Sequence, residues 1–262
     1  MTGNKFLILI PAYNESASIG KLLEDLKDSG AYDYADVLVI DDHSSDRTGR
    51  IAREHGAATV RNIFNLGYGS ALQLGYKYAV NYGYQYVIQM DADGQHDASN
   101  VKKIYDALLS PSKRLNGAQP DIVLGSRFLP GSVSFPSSGI KLFAIKFFRL
   151  LIHWLTGGYI TDPTSGLQGL DRAAFYFYSE FNNFNSRYPD ANMFIQMIMK
   201  GFSYLEIPAV MHERKSGKSM HSGIFKPAYY MIFMVLSVVT TFWRENSARI
   251  HKIGDSGKGD EY

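Results

Sequence analysis

Short apolar runs alternate with amphipathic ones along the first half of the chain. KFLILI, starting at Lys5, and ADVLVIDD, starting at Ala35, are too short for helices and lack the strict alternation of a half-exposed sheet. They read as strands buried on both faces. ATVRN (58–62), YQYVIQMD (84–91) and DIVLGSRF (121–128) add further strands. Between them, NESASIGKLLEDLKDSG (14–30) carries helical periodicity, with Ser16 or Asn14 available as its cap. SSDRTGRIAREHG (44–56) is a second helix closed by Gly56, and GYGSALQLGYKYAVNYG (67–83) a third. Strands separated by helices predict an α/β fold with a mostly parallel, doubly wound sheet flanked by helices.

From about residue 129 the pattern changes. A loop, GSVSFPSSG, leads into the very apolar IKLFAIKFFRLLIHWLTGG (140–158). On a wheel at 100° per residue, Lys146, Arg149 and His153 form a narrow basic stripe, with Leu142 the one apolar residue among them. Phe143, Phe147, Leu150, Leu151, Trp154 and Leu155 fill the opposite side, which describes an interfacial helix over 137–157. Residues 227–243 carry no charge, but as a helix they span only about 25 Å against a ~30 Å hydrocarbon core. The expected organisation is a catalytic unit over 1–222, an apolar membrane-associating or oligomerising helix over 223–246, and a polar, disordered tail over 247–262.

Composition narrows the function. The 262 residues suit one large α/β domain. A net charge of +2 gives no support to nucleic-acid binding. The absence of cysteine excludes disulfides, thiolate metal sites and thiol nucleophiles. The apolar start, Phe6 to Ile10, is too short for a signal peptide.

Polar clusters fall at strand ends: PAYNE (11–15), DDHSSD (41–46) and DADGQHD (91–97). In doubly wound sheets, ligands bind beyond the carboxyl ends of the strands, so these three clusters converge on one edge. Asp91 and Asp93, two residues apart on a loop, suit a hard divalent cation, Mg²⁺ or Mn²⁺, whose other positions go to phosphates and water. An EF-hand does not fit, since His96 and Lys102 stand where Gly and Glu are needed. No GxxxxGK[ST] loop is present. Far along the chain, HERKSGKSMHSG (212–223) gathers Arg214, Lys215 and Lys218 in a basic loop, suited to holding a phosphate. His96 reads as a helix-start residue and His212 as an ordinary loop histidine.

PAYNE, DDHSSDRT, NLGYGSA, DADGQHD, GSRF, DPTSGLQGLDR and HERKSGKS occur in the order seen in glycosyltransferase family 2, which the chain resembles from about residue 6 to residue 220. More narrowly it resembles the branch that makes polyprenyl-phosphate sugars. The resemblance implies a GT-A fold and a nucleotide-diphosphate sugar donor, UDP-linked in first choice. It implies that Pro11, Ala12, Tyr13 and Glu15 line the nucleoside pocket and that Asp42 meets the base. Asp91 would sit near the sugar or ribose, Asp93 would be the main metal ligand, and Gln95 would complete the metal or phosphate shell. Arg127 would approach the sugar or diphosphate, and Arg214 with Lys218 would hold the acceptor phosphate. Members often carry Lys where this chain has Tyr68, so no phosphate-binding cation is expected at that turn.

The expected activity is an inverting, metal-dependent transfer to a polyprenyl phosphate, with the enzyme held peripherally at the cytoplasmic face of the membrane. Such lipid-linked sugars would feed cell-wall polysaccharide. A homo-oligomer through the C-terminal helix is also compatible. A hydroxyl acceptor on a glycan or glycolipid is the alternative. It requires a general base, for which Asp162 and Asp190 are the candidates. A sugar-binding scaffold without activity is the non-enzyme alternative.

Overall fold

A computed structural model describes residues 5–135, 139–185, 189–214 and 225–256. Strands β1 (Phe6–Ala12), β2 (Ala35–Asp41), β3 (Ala58–Arg61), β4 (Tyr86–Gln89), β5 (Ile122–Ser126), β6 (Gln168–Asp171) and β7 (Tyr204–Pro208) form one sheet. Its order is β3-β2-β1-β4-β6-β5-β7. β1 pairs in parallel with β2 and β4, and β2 with β3, as a doubly wound sheet requires. The departure is β6, which lies antiparallel between β4 and β5. Its GLQGLD sequence is short and glycine-bearing, so the apolar pattern alone did not mark it as a strand.

Alternation along the buried strands builds two cores. Phe6, Ile8 and Ile10 of β1 face α1 (Ile19–Asp28) and α4 (Ser99–Leu109). Leu7 and Leu9 face α3 (Tyr68–Asn81) and α6 (Arg172–Ser179). Each such side chain contributes about 1.5–3 kcal/mol by leaving water. Pro11 fits within β1 because the ladder to β4 ends at Leu9, so no partner strand requires its missing N–H. α2 (Thr48–Glu54) ends before Gly56 as expected. The cap of α1 is Ser18 rather than Ser16 or Asn14. Asn14 instead takes a left-handed backbone, φ 54°, and reaches across to the Ser44–Ser45 turn.

A third core lies outside the sheet. It joins Phe148 and Ile152 of α5 (Gly139–Thr156), Ala191 and Ile195 of α7 (Ala191–Met199), and Met234 and Val238 of α8 (Phe225–Ser256). Met234, Val238, Thr241 and Glu245 recur at helical spacing and form the buried face of α8. Polar pins fix it. Ser237 accepts from Asn185 and Asn192 at 2.9 and 3.0 Å, and Glu245 pairs with Lys200 at 2.7 Å. Ile232, Leu236, Val239 and Trp243 form an exposed apolar stripe on the same helix.

α8 continues past residue 246 into the stretch expected to be a disordered tail, since no proline or glycine interrupts NSARIHKI. Among the described residues, no helix is long and apolar enough to cross a membrane. In α5, Phe143, Leu150 and Trp154 are exposed, while Lys146 and His153 keep to the solvent. Arg149 leaves the expected basic stripe. Its guanidinium turns in over the Phe128 ring at 4.5 Å, and its Nε and Nη2 are buried with no hydrogen-bond partner among the described residues.

Candidate active site

The three polar strand ends do converge. After β1, the backbone N–H groups of Asn14, Glu15 and Ser16 donate to Ser44, Thr48 and Asp46, so the PAYNE and DDHSSD turns brace one another. Tyr13 is exposed beside them, while Pro11 and Ala12 are buried in β1. Asp42 is buried and accepts from Asn62 Nδ2 at 2.7 Å, Leu66 N–H at 2.9 Å and Gly67 N–H at 2.7 Å. Three of its roughly four acceptor positions are therefore taken, and its main work is to anchor the loop that opens α3.

After β4, the DADGQHD loop is held from within. The Asp91 N–H donates to His96 Nδ1 at 3.0 Å, and the Gln95 N–H donates to Asp93 Oδ1 at 3.0 Å. His96 is buried, so it is a brace of this loop. Tyr68 Oη donates to Asp91 Oδ1 at 2.9 Å. Burial, and then the charge of Asp91, push the Asp93 carboxyl above its ordinary range, opposed by the Gln95 hydrogen bond and Arg214. Burial likewise raises Glu15, opposed by a hydrogen bond from Ser18 and by Arg214.

The segment after β7 is stitched onto this loop. Asp97 N–H donates to Val210 O at 3.2 Å and His212 N–H to Gln95 O at 2.7 Å. The buried Asn100 amide mimics a strand edge, donating to Val210 O at 2.7 Å and accepting its N–H at 2.9 Å. His212 pairs with Asp97 at 2.7 Å, away from any ligand role. These bonds deliver Arg214 to the carboxylates: it pairs with Glu15 and lies 3.6 Å from Asp93 Oδ2. Lys218, its expected companion, lies outside the described residues.

Arg127 and Asp162 take a different role from the one expected. Arg127 Nε and Nη2 grip the two Asp162 oxygens at 2.7 and 2.6 Å, its backbone N–H adds a third bond, and Nη2 also reaches Thr164. Asp162 is fully buried and the Arg127 side chain only 8% exposed. A carboxylate so engaged cannot serve as a base, and a guanidinium so committed is not presented to a sugar. The pair instead clamps the 161–166 turn, which Glu206 also holds by accepting from the Thr161 and Asp162 N–H groups.

Asp190 stands at the N-terminus of α7 but makes no capping hydrogen bond through its side chain. Its charge adds, after burial and Asp91, to the raising of the Tyr68 hydroxyl. Of the two candidate bases, Asp162 is committed to Arg127. Sequence reading missed the role of Tyr68, whose partner lies 23 residues away.

Among the described residues, no three His, Asp or Glu side chains form a cage for an ion. Asp91 and Asp93 are hard oxygen donors that would suit a divalent cation completed by diphosphate and water, and the Asp93 carboxyl is raised first by burial and then by the charge of Asp91. An open, mostly parallel sheet with such a loop at its edge defines a GT-A nucleotide-sugar fold. The chain belongs to glycosyl transferase family 2, whose profile matches residues 7–177.

Relatives agree with that placement. An undecaprenyl-phosphate mannosyltransferase of Micrococcus luteus is 29% identical over 242 residues, covering 84% of this chain and 88% of the relative. A UDP-N-acetylglucosamine–dolichyl-phosphate N-acetylglucosaminyltransferase of Methanococcus voltae is 26% identical over 198 residues, covering 69% and 74%. Glucosyl-3-phosphoglycerate synthase of Mycobacterium tuberculosis, solved with Mn²⁺, UDP-glucose and phosphoglyceric acid, superposes with a TM-score of 0.64 at 16% identity, over 92% of this chain and 80% of that one. At that identity the likeness concerns the fold.

Proposed function

We propose that this glycosyltransferase moves a sugar, with inversion, from a nucleotide-diphosphate sugar to a polyprenyl phosphate at the cytoplasmic membrane face. The observation that carries the reading is Arg214. The segment bearing the basic loop is bonded along the DADGQHD loop, so an acceptor-side cation meets the donor-side carboxylates Glu15 and Asp93. A phosphate acceptor would then be held at the atoms where a diphosphate departs. Lipid-phosphate transferases among the relatives support that acceptor. The UDP-N-acetylglucosamine-using relative supports a UDP-linked donor, with GDP-mannose kept as the alternative for the mannosyltransferase relatives.

The nucleoside would lie against Pro11, Ala12 and Tyr13, with Glu15 at its edge and Asp42 holding the neighbouring loop. Asp91 would meet the ribose or sugar. Asp93, assisted by Gln95, would hold Mg²⁺ or Mn²⁺, which when bound supplies positive charge to the leaving diphosphate. A non-bridging oxygen of the lipid phosphate forms the bond to C1 as the bond from C1 to the diphosphate oxygen breaks. The nucleotide leaves with that electron pair. The acceptor is already an anion, so no proton has to be removed. Arg214, joined by Lys218, positions it.

The exposed stripe on α8 and the exposed Phe143, Leu150 and Trp154 of α5 would rest on the bilayer. Flotation with anionic liposomes tests this: Trp154→Glu and Leu236→Glu should each weaken binding about tenfold, and unchanged flotation would remove the membrane from the account. The activity itself is tested by incubating UDP- and GDP-sugars with Mn²⁺ in detergent, with and without undecaprenyl phosphate. Organic-extractable sugar formed only with the lipid is expected. Its absence with every donor would overturn the reading.

One observation favours a second reading. Asp162 is committed to Arg127, which leaves Asp190, at the N-terminus of α7, as the carboxylate that would act as base toward a hydroxyl acceptor. That reading requires a rate limb at low pH which Asp190→Asn removes.

A further inference from the structure

A directed chain of hydrogen bonds runs through the core and ends on Asp91. Tyr76 Oη donates to Gln89 Oε1 at 2.5 Å. Gln89 Nε2 donates to Gly166 O at 2.9 Å and to Tyr68 Oη at 3.1 Å. These three partners fix the Gln89 amide with its oxygen toward Tyr76 and its nitrogen toward Tyr68. The Tyr68 oxygen is thus already an acceptor, and its single proton goes to Asp91 Oδ1 at 2.9 Å. Tyr76 and Gln89 are buried, so nothing in solvent competes for these contacts.

The surroundings leave Asp91 little choice of rotamer. A Cβ on Gly166 would stand 2.7 Å from Asp91 Oδ2 and 3.2 Å from Tyr68 Oη, so only glycine leaves room for the pair. Tyr68 is itself placed by the preceding turn. Gly67 has φ 91°, and its N–H, with that of Leu66, is held by Asp42. The Tyr68 hydroxyl is, like any tyrosine's near neutral pH, an uncharged donor. A cation at this position would cancel part of the charge of Asp91 and Asp93, whereas a hydroxyl orients Asp91 and cancels none of it.

We propose that Tyr68 is a positioning residue of the donor site: it locks the Asp91 carboxylate through a hydrogen bond from an uncharged group and adds no positive charge beside the carboxylate pair that would hold a divalent cation and its diphosphate. The proposal rests on the reading of Asp91 and Asp93 as the cation and donor site.

The test is calorimetric titration with UDP, and in parallel GDP, with and without Mn²⁺. It needs no acceptor and no turnover. Its readout is the factor by which Mn²⁺ tightens nucleotide binding. Tyr68→Phe, which keeps the ring, should reduce that factor about tenfold, within the ordinary range of coupling between two ligands. Tyr68→Lys should tighten nucleotide binding without metal and largely abolish the Mn²⁺ effect. Tyr84→Phe is the control, because it loses a tyrosine–carboxylate bond, to the exposed Asp36 at 2.6 Å, at the opposite end of the sheet. It should leave the Mn²⁺ effect within twofold. A Mn²⁺ effect within twofold of wild type in both Tyr68 variants would overturn the positioning role. So would a change in Tyr68→Phe no larger than in Tyr84→Phe. A wild-type protein that binds nucleotide with no Mn²⁺ effect would instead overturn the cation reading, and this proposal with it.

Discussion

On the proposed reading, the donor side and the acceptor side of the site are held in place by different means. On the proposed donor side, Glu15, Asp91 and Asp93 stand on turns that leave the parallel strands β1 and β4; the first is braced by hydrogen bonds to the turn after β2, the second by hydrogen bonds within itself and from Tyr68. On the proposed acceptor side, Arg214 arrives on a segment that follows the edge strand β7 and is secured by its bonding to residues 95–100 and to Val133. The outward faces of α5 and α8 keep Trp154 79% and Trp243 70% exposed. A diphosphate needs a rigid, water-poor cradle with fixed charges. A lipid phosphate must enter from a bilayer, which suits a cation on a peripheral segment and apolar faces left uncovered.

Four substitutions sharpen the contrast. Asp93→Asn strikes the donor side at its cation and should lower turnover by about a thousandfold or more. It should also remove Mn²⁺-dependent nucleotide binding, and a variant that keeps both would break the donor assignment.

Arg127→Ala strikes the clamp between the two sides. It strands the buried Asp162 carboxylate and should cost about 3–5 kcal/mol of stability in denaturant unfolding. A stable variant with selectively weakened donor binding would return Arg127 to the role of a sugar contact.

Arg214→Ala should raise the acceptor KM by about 10- to 100-fold with a smaller effect on the donor KM. The reverse split would move Arg214 to the donor side.

Asp171→Asn lies outside both. Asp171 caps α6, and burial raises its carboxyl to about 6. The folded state therefore holds a proton that the unfolded chain has released by about pH 4. The stability from that proton is complete below about pH 4 and lost as pH rises through 6. The melting temperature of Asp171→Asn relative to wild type should climb by a few degrees between pH 4 and 7, while a constant difference would place the proton elsewhere.

The donor side was the more legible in sequence because its information is local. Unbroken apolar runs identify buried strands, and the residues just beyond them are the site in any doubly wound sheet, so PAYNE, DDHSSD and DADGQHD could be placed without coordinates. Arg127, Asp162 and Tyr68 were not legible in the same way. Each has its function decided by a partner 20 or more residues away, and an arginine gripping a buried aspartate has the same letter as one gripping a phosphate. β6 escaped for a related reason, since its burial comes from β4 and β5 on either side and not from its own short pattern. Arg149 shows the limit of a helical wheel. The arc places it with Lys146 and His153, but the Phe128 ring draws it inward.

The central claim is that the acceptor is a phosphate anion, which attacks C1 with no base to deprotonate it. It is tested most directly by initial rates with undecaprenyl phosphate and with undecaprenol as alternative acceptors, from pH 6 to 9, in wild type and Asp190→Asn. The account predicts transfer to the phosphate alone, with no rate limb that depends on Asp190. Transfer to the alcohol, with a limb at low pH that Asp190→Asn abolishes, would contradict it.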